Sequence, residues 1–268
     1  MTIDMIPKKI HYCWFGGNPL PDIANKCIES WKIFCPDYEI VRWDENNCDL
    51  NVNTFVQQAA ENKKWAFVSD YFRLKVVEEH GGIYLDIDVE LLKPLDDLLK
   101  YDGYMGFELS DKNYIASGLG FGAKPNNEII KKLKQNYEDI PFIMKDGSFD
   151  MKPCPKRDTE ILVHLGLKQN NQTQMLGNFI FYSSDYFSPL GFTGEQFFSD
   201  NTYSIHHFNG SWLDDNQIAM LNLRKRIRRF FGVFLGDYIF KILFSFEIIK
   251  KNGLIIFLKK LKQKIIRD

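Results

Sequence analysis

The segment Gly81-Gly82-Ile83-Tyr84-Leu85-Asp86-Ile87-Asp88-Val89-Glu90 constrains the fold of this chain more than any other stretch. Two glycines break the helical pattern before it, and the alternation that follows reads as a buried strand carrying two carboxylates. A two-residue period puts Ile83, Leu85, Ile87 and Val89 on one face and Tyr84, Asp86 and Asp88 on the other. Acids so spaced stand about 7 Å apart along a strand. They repel, and burying such charges is costly unless they are paired or coordinated. A cation answers both problems. Hard oxygen ligands suit Mg²⁺ or Mn²⁺, ions that keep positions open for water and phosphate. An Asp-x-Asp by itself is common on protein surfaces; its place in an apolar strand after Gly-Gly is what points to a metal-diphosphate site.

At 268 residues the chain is long enough for one large domain, or for one domain plus an appendage. The net charge of −1 conceals an asymmetry: from Arg224 onward there are 13 basic residues against 3 acidic ones, so the tail carries +10 and the rest −11. This predicts an acidic body over 1–217 and a basic, aromatic-rich helical tail over 218–268. The 5 cysteines are odd in number and lack C-x-x-C spacing, which argues against a disulfide framework or a zinc ribbon. The N-terminus MTIDMIPKKI shows no apolar signal region. Together these predict a cytoplasmic protein, and nothing calls for a nucleic-acid partner.

Lys8 to Phe15 reads as a strand running into Gly16-Gly17-Asn18-Pro19, the arrangement from which nucleotide sites open in α/β folds. Trp14 at that edge either stacks on a base or packs in the core. Asp22 to Phe34 is helical, with an apolar stripe of Ile23, Cys27, Ile28 and Trp31, and Tyr38 to Trp43 is a second strand. The three predict a parallel βαβ unit. Thr54 to Glu61 reads as a helix capped by its threonine, and Trp65 to His80 as a longer one closed by Gly81. Within the latter, Asp70 and Arg73 share a face. They are either a surface ion pair worth under ~1 kcal/mol, or a pair in which Arg73 reaches a phosphate while Asp70 accepts sugar hydroxyls.

Beyond Asp88, Tyr104 to Leu109 reads as a strand. Tyr114 to Gly122 is a small-residue run where backbone can approach a ligand closely. No strand-turn-helix unit opens with it, so it is not a dinucleotide fingerprint. Asn126 to Tyr137 reads as a helix, Pro153 and Pro155 as loop, Thr159 to Leu165 as a helix capped by Asp158, and Phe179 to Tyr182 as a strand. In the run Thr202 to Trp212, adjacent His206 and His207 point to opposite faces, so at most one joins a given site. A nitrogen ligand beside two carboxylates favours Mn²⁺ over Mg²⁺.

Five blocks, Ile6-Pro7-Lys8-Lys9-Ile10-His11…Trp14…Gly16-Gly17, Ser30-Trp31…Pro36-Asp37-Tyr38-Glu39…Trp43, Ala66…Ser69-Asp70…Arg73, Gly81 to Val89, and His206-His207…Ser211-Trp212, occur in the same order as in family 32 glycosyltransferases. The chain resembles that family over most of residues 6 to 212. Its members include bacterial capsule and lipopolysaccharide sugar transferases, yeast-type mannosyltransferases and, distantly, glucosylating bacterial toxins. The resemblance implies an α/β GT-A fold, Rossmann-like and nucleotide-sugar-binding, with a mixed central sheet. It also implies a nucleotide-sugar donor, a divalent metal and retention of anomeric configuration. By position it implies Trp14 on the nucleobase, Asp70 and Arg73 on the donor sugar and phosphates, and Tyr84 beside the sugar or ribose. Asp86 would hold the ribose and, through water, the metal, while Asp88 would ligate the metal directly. Ser211 and Trp212 would close over the diphosphate. His207 is the expected histidine ligand, since His-Phe-Asn-Gly resembles the metal-binding block of related retaining transferases; His206 is the alternative.

The expected reaction is transfer from a nucleotide sugar, a UDP-sugar first, to a hydroxyl of a growing cell-surface glycan or lipid-linked oligosaccharide. No carboxylate is placed as a nucleophile, which favours front-face attack. Two other readings are a haloacid-dehalogenase-type phosphatase using the Asp-x-Asp and a non-catalytic sugar-binding protein. The phosphatase wants its motif on the first strand and a later Asp-Asp; Asp214-Asp215 exists, but the motif comes too late in the chain. In the tail, Asp237, Lys241 and Glu247 argue against a spanning helix. Basic clusters beside Phe, Ile and Leu predict a helix in the interface of an anionic membrane, at the inner face of the plasma membrane; the other reading is that the tail packs on the catalytic domain or on a second subunit.

Overall fold

The computed structural model describes residues 5–191, 194–208 and 215–265. The chain forms two compact units, 1–192 with 196–212 and 193–195 with 213–268.

The first unit is built on a 7-stranded mixed sheet in the order β2 (Glu39–Trp43), β1 (Lys9–Cys13), β3 (Gly82–Tyr84), β6 (Phe121–Ala123), β5 (Gly103–Gly106), β8 (Phe179–Tyr182) and β7 (Gln174–Leu176). Strand β1 (Lys9–Cys13), helix α1 (Asp22–Phe34) and strand β2 (Glu39–Trp43) form the predicted parallel unit, with Lys9 opposite Glu39 and Cys13 opposite Trp43. Helices α2 (Thr54–Glu61) and α3 (Trp65–His80) then lead into β3 (Gly82–Tyr84), which joins the other side of β1 in parallel. The cap of α2 is Asn53, whose side chain accepts from the Val56 amide at 2.9 Å, rather than Thr54. Gly81 closes α3 at φ 62; a Cβ there would meet Pro125 and Pro7 below 3 Å, so glycine is required twice over.

The predicted single strand through Val89 is corrected. It stops at Tyr84, and the chain resumes as β4 (Val89–Leu91) in a separate 2-stranded sheet with β9 (Ser204–His206). Between them Asp86 to Asp88 form a turn closed by the Val89 amide on the Asp86 carbonyl at 3.0 Å. The apolar alternation nevertheless persists: Ile83, Leu85 and Val89 lie in one core cluster and Tyr84 in the other. Both sides of the turn are pinned. Upstream, the Leu85 amide donates to the His11 carbonyl at 3.0 Å. Downstream, Trp31 of α1 donates its indole N–H to the Val89 carbonyl at 2.7 Å, and Ser30 Oγ accepts from the Leu91 amide at 2.9 Å.

The sheet continues through β5 (Gly103–Gly106), β6 (Phe121–Ala123), β7 (Gln174–Leu176) and β8 (Phe179–Tyr182), with α4 (Glu128–Glu138) capped by Asn127. A single helical turn, Ser117–Leu119, occupies the small-residue run. Helix α5 (Cys154–His164) begins four residues before the predicted cap, so Asp158 lies inside it. Pro153 and Pro155 are start signals here, because a first-turn proline gives up an N–H that would be unbonded anyway. Helix α6 (Asp215–Ile265) belongs to the second unit.

Candidate active site

The turn after β3 brings Asp86 and Asp88 together, and β9 delivers a histidine to them. Ligand atoms of Asp86, Asp88 and His206 all lie within 4.8 Å of one another. His206 Nε2 is 3.0 Å from Asp88 Oδ1. Three donors around an ion at ~2.1–2.2 Å stand up to about 4.4 Å apart, so small rotations seat a cation. His206 Nδ1 is buried with no partner among the described residues. Two carboxylates and one imidazole are a donor set for Mn²⁺ or Mg²⁺, and these residues fit that group.

His207 is not the histidine that joins the acids, which corrects the expectation. Val89 stands opposite His206 in the β4–β9 pairing, and neighbouring side chains on a strand diverge. His207 Nε2 instead lies 2.8 Å from Glu90 Oε2, an oxygen also held by Lys26 at 2.9 Å.

Arg73 ties the acidic turn to α3. Its Nη2 is 3.3 Å from Asp70 Oδ1 and 3.2 Å from Asp86 Oδ1. Nη1 donates to Cys154 Sγ at 3.6 Å, and the guanidinium lies 5.2 Å from the centroid of the Tyr84 ring. The Tyr84 hydroxyl donates to Asp86 Oδ1 at 2.8 Å. The reading of Asp70 and Arg73 as an exposed surface pair therefore fails: both are buried. Burial pushes the Asp70 carboxyl up against the pull of Arg73, and pushes Asp86 up in the same way. For His206 burial opposes the imidazolium, but Asp88 and Asp86 outweigh it and hold its pKa up.

The small-residue run supplies the wall of this site. A Cβ on Gly118 would fall 2.5 Å from Asp86 Oδ2 and 3.3 Å from Arg73 Nη1, so only glycine leaves that carboxylate oxygen uncovered. Trp14 is half-buried at the end of β1; its indole N–H donates to the Asn18 carbonyl at 2.6 Å and its amide to Trp43, so its bonds go elsewhere than to the acids. Ser211 and Trp212 lie outside the described residues.

Sequence reasoning missed Cys154, Ser117 and above all Asp158. Asp158 is fully buried, accepts from Ser117 Oγ at 2.8 Å through Oδ2, and has no partner on Oδ1 among the described residues. The signal that would have found it is the first-turn proline of α5, which turns a supposed cap into an interior position. Burial pushes its carboxyl up to about 7, against Ser117, Arg73 and Arg157 and with help from Asp70. The folded chain thus holds a proton that the unfolded chain releases, and stability falls as pH rises from about 4 towards about 7. Asp158→Asn, which keeps the Ser117 contact and cannot ionise, is expected to melt several degrees above the native chain at pH 8, with the gap closing towards pH 4. Circular-dichroism melts across that range check this; a gap independent of pH would show the carboxylate ionised throughout.

Residues 21–104 match the family described as "Glycosyltransferase sugar-binding region containing DXD motif". That segment holds Asp70, Arg73, Tyr84, Asp86 and Asp88. The chain is 48% identical over 84 residues to glucan organizing enzyme 1 of Cryptococcus neoformans var. grubii, covering 28% of this chain and 23% of that one. It is 27% identical over 130 residues to the initiation-specific alpha-1,6-mannosyltransferase of Candida albicans, covering 45% and 33%. The chain thus spans a third or less of these two relatives' length. A solved structure titled PaToxG glycosyltransferase aligns with a TM-score of 0.46 and 21% identity over 60% of this chain and 69% of that one.

Proposed function

We propose that this chain, which carries a glycosyltransferase DXD sugar-binding region, moves a sugar from a nucleotide sugar to an acceptor hydroxyl. The observation that carries the reading is the convergence of Asp86, Asp88 and His206 on one point, with Arg73 clamped between Asp70 and Asp86 beside it. Breaking a sugar–phosphate bond places negative charge on the departing diphosphate and positive charge on the sugar. Asp86, Asp88 and His206 would hold a divalent cation, Mn²⁺ in preference to Mg²⁺, which when bound neutralises diphosphate charge. Arg73 is a fixed, largely desolvated cation next to that point, already oriented and so ready to stabilise charge without reorganisation. Asp70, held beside Arg73, can accept hydrogen bonds from sugar hydroxyls. Gly118 leaves room for the ligand to approach Asp86.

A UDP-sugar is the proposed donor, and a growing cell-surface glycan such as capsular polysaccharide or lipopolysaccharide the proposed acceptor. The attacking hydroxyl would approach from the face the diphosphate leaves, handing its proton to the departing phosphate oxygen and so retaining configuration. A panel of nucleotide sugars incubated with the chain and Mn²⁺ tests the reading. The expected result is slow release of free nucleoside diphosphate from one UDP-sugar, suppressed by chelation. Release of inorganic phosphate from simple esters through a phosphoenzyme would select the phosphatase instead, and no turnover of any donor would select a binding protein.

A further inference from the structure

Helix α6, Asp215–Ile265, is not straight. Arg224 Nε lies 3.0 Å from Asp237 Oδ1, thirteen residues further on, whereas thirteen residues of straight helix cover about 20 Å. The chain reverses at Gly232, whose φ of 74 lies in the left-handed region that favours glycine. The two arms cross closely at Gly236, where a Cβ would fall 2.8 Å from the Arg228 Cα. Arg228 and Arg224 both donate to the Asp237 carboxylate, Arg228 also reaches Glu195, and the Arg224 guanidinium lies 5.7 Å from the Phe240 ring centroid. The Arg228 and Arg224 guanidiniums hold the Asp237 carboxyl well below the usual range. The acid nearest the reversal is therefore fully engaged inside the hairpin.

What the hairpin shows outwards is of another kind. Around the reversal, Phe230 is 82% exposed, Phe231 54%, Leu235 53% and Tyr238 65%. Arg226 and Arg229 beside them are exposed as well. Adjacent large apolar side chains at that exposure are not an ordinary soluble surface. No helix among the described residues is long and apolar enough to cross a membrane.

We infer that the tip at Gly232 docks on the surface of an anionic bilayer, with Phe230, Phe231 and Leu235 entering the headgroup and acyl boundary while Arg226 and Arg229 meet lipid phosphates. Charge complementarity chooses this occupant. The tail from Arg224 carries +10, so a second copy presenting the same face is repelled, whereas an anionic lipid surface is attracted and also accepts the aromatic side chains. The hairpin dips into the interface and does not span it. The inner leaflet of a plasma membrane has that charge, and a chain held there meets lipid-linked acceptors, a consequence that rests on the glycosyltransferase reading.

Co-sedimentation of the full chain with vesicles tests the docking. Binding to phosphatidylglycerol-containing vesicles is expected at physiological salt, with little binding to pure phosphatidylcholine. Phe230→Glu with Phe231→Glu should lower the partition at least about tenfold, with an unchanged melting curve and unchanged donor hydrolysis in vesicle-free solution. Equal sedimentation of the double variant and the native chain, or no preference for anionic vesicles, overturns the inference. So does a soluble dimer that the double variant converts to monomer, since a second copy would then cover the tip. Because donor hydrolysis is read separately, failure of the docking and failure of the transferase reading are told apart.

Discussion

Asp88→Asn is expected to lower Mn²⁺-dependent hydrolysis of the UDP-sugar by at least about a hundredfold while leaving the metal-free protein as stable as before, or slightly more so. The two signs come from the same geometry. Asp88 is buried in the turn, with His206 at 3.0 Å and the Asp86 carboxylate inside the same 4.8 Å cluster. Asparagine keeps the shape and can still bond to His206, so the turn survives. It removes one of two like charges held at close range, and the repulsion so relieved when no cation is present offsets the attraction lost between Asp88 and the His206 imidazolium. The same change takes away an anionic ligand, and a neutral carboxamide holds a hard divalent ion far less tightly. Hydrolysis rates, Mn²⁺ titration calorimetry and melting curves of the metal-free protein, measured side by side, check the three quantities. A variant that keeps more than half its activity would remove Asp88 from the site. A large loss of stability without metal would mean that the acids act as a structural pair.

The legible parts of this fold are those where local chemistry and tertiary packing agree. Helices α1 and α3 run over the predicted residues, α1 because its apolar stripe has one face to bury and α3 because Gly81 ends it. The parallel βαβ unit followed from their order, and the mixed α/β sheet agrees with what the family resemblance implied. The continuous strand across Asp86 and Asp88 failed for a physical reason. Ile83, Leu85 and Val89 go on contacting one core cluster after the backbone has left the sheet, so alternation cannot distinguish a strand from a strand, a turn and another strand. No glycine or proline marks that turn. The choice between His206 and His207 was equally hidden, because it is set by pairing with a strand more than a hundred residues earlier. At Gly232 a glycine in an apolar run looks like a tolerated helix residue; the reversal shows in tertiary contacts, Arg224 with Asp237 and Gly236 against Arg228, that no local pattern announces.

Arg73→Ala is expected to be the most damaging single change in the chain, and the reason separates catalysis from folding. Arg73 is 5% exposed and is shared by Asp70 and Asp86, so its removal leaves two carboxylates in a poorly hydrated place without the cation they both touch. Breaking a buried pair from one side costs about 3–5 kcal/mol, or a fall in Tm on the order of 10 °C for a chain of this size. Removing a fixed cation from beside a departing diphosphate should also lower kcat by about a thousandfold. A loss of activity through unfolding would look similar, so Asp70→Asn with Arg73→Met is the informative partner. It withdraws one carboxylate along with the guanidinium and fills the space with a flexible apolar side chain, leaving Asp86 its bond from the Tyr84 hydroxyl at 2.8 Å. At least half of the lost Tm should return in that double variant, and none of the lost kcat. If activity returns with stability, Arg73 only holds the helix to the turn, and the charge on the departing diphosphate is met by other groups.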